Sequence, residues 1–134
     1  MHLPSITSVY LALLALLYTV LAVQVGRLRQ RDRAAFGDNG SLALRSAIRA
    51  HANFSEYVPI ITLMVAMLEM SGLAAAWVHL LMGALLVSRL LHPLGMYSRP
   101  GTWQFGVGRI AGILITIAVL AAAAVSALTR FWPA

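Results

Sequence analysis

Residues 105–131 read FGVGRIAGILITIAVLAAAAVSALTRF, and the placing of charge in that stretch decides the fold. Arg109 and Arg130 stand near its ends, and every residue between them is apolar, small or hydroxylic. A membrane hydrocarbon core takes roughly 20 helical residues to cross. Lipid offers no partner to backbone N–H and C=O groups, so a single span of this kind is a helix and not a strand. Working outward, three more segments have the same character: about 4–26, about 42–70 and about 72–97. The expectation is an all-α protein, a transmembrane four-helix bundle, formed as one membrane domain over residues 1–134.

The composition agrees. The chain has 134 residues, 60% hydrophobic and 10% charged, where a soluble domain carries about 25% charge. A soluble chain of this size cannot hide so much apolar surface in its own core. The net charge is +6, and all ten basic residues are arginine. A basic chain raises nucleic acid as a partner. Here the arginines flank or interrupt apolar runs and form no basic domain, so no nucleic acid is expected. Membrane lipids are the expected surroundings. Cysteine is absent, which excludes disulfides and a cysteine nucleophile. Any thiol must come from a ligand. The histidines, at 2, 51, 79 and 92, lack metal-ligand spacing, and no metal site is expected. The first apolar run has no basic region before it and is too long for a signal peptide, so it reads as a retained helix.

The arginines suggest an orientation. Arg27, Arg29, Arg31 and Arg33 are assigned to the first loop, which ends in Gly37-Asp-Asn-Gly40. Arg99 falls in the third loop, Ser98-Arg99-Pro100-Gly101-Thr102, and the tight turn Ser71-Gly72 has no charge. An excess of arginine marks the cytoplasmic side. Loops one and three are therefore expected in the cytoplasm and both termini outside. Trp77, Trp103 and Trp132 lie near predicted helix ends, where interfacial anchors belong.

The second segment opens Arg45-Ser-Ala-Ile-Arg49-Ala-His-Ala-Asn53-Phe-Ser-Glu56-Tyr57-Val-Pro59. At about 100° per residue, Arg45, Arg49, Asn53 and Glu56 share an arc of roughly 80°, with Tyr57 at its edge. Ionisable groups within a span cost several kcal/mol unless they face protein or water. This stripe is therefore a candidate site. His51 and Glu69 fall on the opposite side of the wheel: His51 is expected to contact a neighbouring helix or head groups, and Glu69 to be a solvated helix end. The third segment carries Arg89 and His92 on one face. Pro59 and Pro93 are expected to kink or finish their helices. The fourth carries Arg109 inside Gly108-x-x-x-Gly112, a pattern that permits close helix approach. Ion pairing within the bundle would account for one arginine, through Glu56. Several arginines against one carboxylate call for an anionic ligand, for which arginine is the preferred donor.

The run Arg49-x-x-x-Asn53-x-x-Glu56-Tyr57-x-Pro59 resembles the signature of the MAPEG family, membrane-associated proteins in eicosanoid and glutathione metabolism. Arg89-x-x-His92 and an arginine entering the fourth helix agree, and the likeness covers nearly the whole chain. It is nearest to the bacterial branch, which implies a bacterial inner membrane. The resemblance implies a homotrimer with glutathione, as co-substrate, between subunits near the cytoplasmic face. It further implies that Arg45, Arg49, Asn53, Glu56, Tyr57, Arg89 and His92 hold the tripeptide, and that Arg109 stabilises its thiolate. Lipophilic small molecules would arrive from the bilayer. Some relatives place a tyrosine one turn after the histidine and a serine after the last arginine; here those places hold Met96 and Ile110. Two activities follow: a glutathione-dependent transferase or peroxidase for lipophilic electrophiles or lipid hydroperoxides, or a non-catalytic glutathione- or lipid-binding scaffold. A small transporter subunit ranks below both, because broken helices and internal repeats are missing.

Overall fold

A computed structural model describes residues 3–99 and 101–133; His2 and Pro100, named above, lie outside them. Four helices follow one another: α1 (Ser5–Arg31), α2 (Leu42–Met70), α3 (Ala75–Tyr97) and α4 (Trp103–Phe131). Three of them, α1, α3 and α4, are long and apolar enough to cross a membrane. The remaining helix, α2, has 29 residues, with Arg45, Arg49, Asn53 and Glu56 at or before its midpoint and Glu69 at its end. The protein is an all-α four-helix bundle. α1 packs on α2 and α3, and α4 packs on the same two helices. The shared core of Leu14, Phe54, Ile61, Val65, Met82, Leu85 and Val119 lies along the α2–α3 centre.

The helices alternate in direction, which gives the bundle two ends. The loop end holds the connections α1–α2 and α3–α4, and the terminal end holds the α2–α3 turn beside the start of α1 and the finish of α4. At the loop end α1 runs past its apolar stretch to Arg31, so Arg27, Arg29 and Arg31 are helical rather than in the loop. Cations are favoured in a last helical turn, where unpaired carbonyls and the helix dipole meet them. The shortened loop is held by Arg29, whose Nη1 donates to the carbonyls of Ala34, Ala35 and Gly37 at 3.2–3.3 Å. Ser41 then caps α2 by accepting from Leu44 N.

The α2–α3 turn is closed by two bonds, Leu73 N to Leu68 O and Gly72 N to Glu69 O. Gly72 has φ +90°, a left-handed conformation that glycine adopts without strain. Neither proline finishes its helix: Pro59 and Pro93 sit inside continuous helices. Membrane helices tolerate proline because neighbouring helices and hydroxyl groups satisfy the freed backbone.

Glu69 also departs from the sequence reading. It is not a solvated end but buried, 9% exposed. Its Oε1 accepts from Ile6 N at 2.9 Å, and its Oε2 accepts from Thr7 N at 2.9 Å and Thr7 Oγ1 at 2.6 Å. α1 has no side-chain cap of its own, since Pro4 occupies that place. The first N–H groups of a helix have no internal partner and attract negative charge, and a carboxylate from α2 supplies what α1 lacks. His51 contacts a neighbouring helix: its ring stacks on Tyr18 of α1, centroids 4.6 Å apart.

Candidate functional site

The loop end owes its shape to an unusually close crossing of α3 and α4. A Cβ added to Gly95 would lie 2.3 Å from Arg109 N and 2.7 Å from the carbonyl carbon of Gly108. One added to Gly108 would lie 2.8 Å from the backbone of Gly95, and one on Gly112 would lie 2.8 Å from His92 Cβ. Three glycines thus let the backbones touch, and the contact sets His92 and Arg109 side by side. Gly95 was not singled out in the sequence. Its only signal is that a small residue on α3 is needed opposite Gly108-x-x-x-Gly112.

Behind this crossing lies Arg89, 1% exposed. It is bonded entirely within its own chain. Nη1 donates to Asn53 Oδ1 at 2.7 Å, Nε to Ser88 Oγ at 3.3 Å, and Nη2 to Gly112 O at 3.3 Å and to Thr116 Oγ1. Thr116 donates in turn to Gly112 O at 2.7 Å. No carboxylate takes part. Arg89 ties α2, α3 and α4 together beneath the site and does not reach out from it. Ser88 and Thr116 were not foreseen as its partners, because hydroxyls in an apolar helix carry no specific signal.

Above Arg89, Arg49, Asn53, His92, Met96, Arg109 and Ile113 line a cleft of about 200 Å³. Five of the residues expected to handle a ligand, counting Arg89 as its floor, are therefore brought together from three helices. Arg49 and Arg109 are exposed at the cleft. Neither makes an ion pair or a side-chain hydrogen bond among the described residues; Arg109 has only the ring of Phe105, 5.5 Å from its guanidinium carbon to the centroid. The three other expected residues stand apart. Arg45 is exposed and paired with Asp38 of the first loop. Glu56 is exposed, Tyr57 is half-buried, and Glu56 answers no arginine of this chain among the described residues. Glu56, Arg45 and Arg49 share the face of α2 that continues as Ile60, Leu63 and Met67, all at least half exposed.

A wider groove of about 580 Å³ runs between α1 and α2 and includes Leu11, Leu14, Tyr18, Phe54, Val58 and Leu63. It has no charged side chain in its wall, so ionic chemistry belongs to the smaller cleft. No group of histidines or acids among the described residues is arranged to hold a metal ion.

Comparison with known proteins agrees with this architecture. The inner membrane protein YecN of Escherichia coli K12 is 38% identical over 99 residues, which cover 74% of this chain and 76% of that protein. The protein of the same name from Escherichia coli O6:H1 strain CFT073 gives the same figures. No solved structure matches. The family comparison matches residues 7–129, from the first turn of α1 to the last turn of α4. With its apolar helices and its likeness to an inner membrane protein, this chain is an integral membrane protein that belongs to the MAPEG family.

Proposed function

We propose that the protein is a glutathione-dependent transferase or peroxidase acting on lipophilic electrophiles or lipid hydroperoxides from the bilayer. The observation that carries this is the pair Arg49 and Arg109, two cations at one cleft that make no ion pair or side-chain hydrogen bond among the described residues. Arginine beside a carboxylate gives the strongest common charge-assisted hydrogen bond, and glutathione brings two carboxylates, an amine and a thiol. Arg49, Arg45 and the Asn53 amide take the acids, Glu56 takes the amine, Tyr57 and His92 line the peptide, and Arg109 faces the sulfur. A free thiol has a pKa of about 8.5 and is a weak nucleophile at neutral pH. A guanidinium beside it favours the thiolate. The thiolate then bonds to an electrophilic carbon as the leaving group departs with its electron pair. With a hydroperoxide it takes the terminal oxygen, releasing an alcohol. A second glutathione converts the resulting sulfenic acid to a disulfide and water. No protein nucleophile is needed, in keeping with a chain without cysteine.

The cleft of one chain is small. About 200 Å³ falls below the roughly 300–1,000 Å³ of ordinary ligand pockets. The charged face of α2 is also uncovered, and Glu56 and Arg49 are expensive against lipid. Both deficits are met if a second copy lies on α2, which supports the homotrimer of the family with glutathione between subunits. The arginines in the last turns of α1 and Arg33, together with Arg99, support an orientation with loops one and three in the cytoplasm and both termini outside.

A second reading, a scaffold that binds glutathione or lipid without turnover, draws on Met96 and Ile113. They give the cleft an apolar wall, and no hydroxyl-bearing side chain is among its described lining. Ultraviolet absorbance of bound thiolate separates the two readings. Titrating the detergent-purified protein with glutathione near pH 7 is expected to raise the thiolate band. Arg109→Ala is expected to bind glutathione without it. A native protein that binds with no thiolate band supports the scaffold and refutes the enzyme.

A further inference from the structure

A guanidinium has five N–H donors and no acceptor. Every partner of Arg89 must therefore offer it an oxygen, and the Asn53 side chain does so at 2.7 Å. An asparagine amide has two ends, a carbonyl that accepts and an NH2 that donates. With Oδ1 committed to a group that can only donate, the amide has one permitted orientation, and Nδ2 is turned away from Arg89. Asn53 lines the cleft. Among the described residues no buried side-chain nitrogen or oxygen lacks a partner, and Nδ2 makes no bond within the chain, so it is open to the cleft. The remaining cationic walls, Arg49 and Arg109, are donor-only as well.

The geometry points to Arg89 as a positioning residue that, without touching the ligand, locks the Asn53 amide so that the cleft presents N–H donors and selects a carboxylate-bearing ligand. This deepens the reading above and rests on it for the acidic ligand, though not for the thiol. The contact spans α2 and α3, and the bonds of Arg89 to Gly112 and Thr116 fix its head from α4. The amide therefore cannot turn over without breaking a buried network. Such networks specify one arrangement when all their members are satisfied. His92 is the one cleft group with a ring nitrogen able to accept, so the proposal concerns the Asn53 side of the cleft.

The test uses the full-length protein in detergent, titrated by calorimetry with glutathione and, separately, with glutarate, a dicarboxylate without a thiol. Asn53→Asp keeps an oxygen for Arg89 while replacing the cleft-facing donor with an acceptor. It is expected to bind both probes about tenfold or more weakly, with an unfolding temperature at or above the native one. Asn53→Leu loses the donor without adding an acceptor and is expected to fall between Asp and native. Arg89→Lys remains donor-only and is expected to stay within about threefold of native, whereas Arg89→Gln, which can also accept, frees the amide and loses about tenfold. Native-like binding by Asn53→Asp, or a larger loss in Leu than in Asp, overturns the proposal. So does Gln binding as well as Lys, which also decides the matter if Asn53→Asp does not fold. Native protein that takes glutarate but not glutathione leaves the donor-lined cleft standing and sinks the glutathione reading. Native protein that takes neither sinks both.

Discussion

At the terminal end of the bundle the Glu69 carboxylate is met by three donors from the start of α1, and Arg130 is bonded to the backbone and hydroxyl of Ser71. At the loop end Arg49 and Arg109 face the cleft without an ion pair or a side-chain hydrogen bond among the described residues. Both regions place costly groups in or beside a membrane span. The first closes on itself and holds helices together. The second stays open. A polar group in lipid is by itself ambiguous between structure and ligand binding, and what separates the two is whether its hydrogen-bonding capacity is spent. Arg89 shows that the division can pass between neighbouring helices: its donors are spent inside the chain, and those of Arg109, on α4, are not bonded among the described residues.

The comparison can be broken most severely at the α3–α4 crossing. Gly95→Ala sets a methyl group against the backbone of Gly108 and Arg109. Overpacking against rigid backbone is expected to cost about 3 kcal/mol or more, read as a large fall in unfolding temperature, with loss of glutathione binding in whatever protein remains folded. Next is Arg109→Ala. Removing one preorganised donor to a developing or bound anion typically costs about 100-fold in rate, and a drop of that size is expected in turnover of a generic aryl halide with glutathione. Stability and glutathione affinity are expected to change little, because among the described residues the Arg109 guanidinium makes no hydrogen bond or ion pair and meets only the Phe105 ring. Unchanged turnover would place the sulfur elsewhere.

Glu69→Ala probes the closed end. It strips three donors of a buried acceptor and is expected to cost about 2 kcal/mol of stability with no change in glutathione affinity. A matched loss of affinity would show that the two ends are coupled. The smallest effect concerns acid. The Arg31 side chain, and then Ser41, hold the Asp32 carboxyl down at about 2, against an ordinary 3.8. Because the folded value lies below the unfolded one, this tie is fully present above about pH 4 and is lost as pH falls toward 2. Hydrogen exchange in residues 32–41 is therefore expected to be flat from pH 8 to about 4.5, once corrected for intrinsic rates, and to rise below that. Arg31, the partner, is exposed, so solvent keeps the effect small.

Much of this was legible in the residues. Four apolar runs fixed the number of helices, because lipid leaves the backbone few alternatives, and Arg49-x-x-x-Asn53-x-x-Glu56 declared a polar face by spacing alone. The helix wheel could not say which arginines would be spent. Arg89 and Arg49 look alike as letters, and only the positions of Ser88, Gly112 and Thr116 distinguish them. Glu69 was misread for a related reason. Its partners are backbone N–H groups more than sixty residues away, and backbone donors leave no mark in a sequence. The end of α1 was set one turn short because hydropathy reports where lipid stops, not where a helix does.

The most direct measurement is a calorimetric titration of glutathione into three full-length proteins: native, Arg49→Ala and Glu69→Ala. Saturable binding to the native and Glu69→Ala proteins, weakened about tenfold or more in Arg49→Ala, is the expected result. No binding by the native protein, or equal binding by all three, would contradict the assignment of the open arginines to an acidic guest.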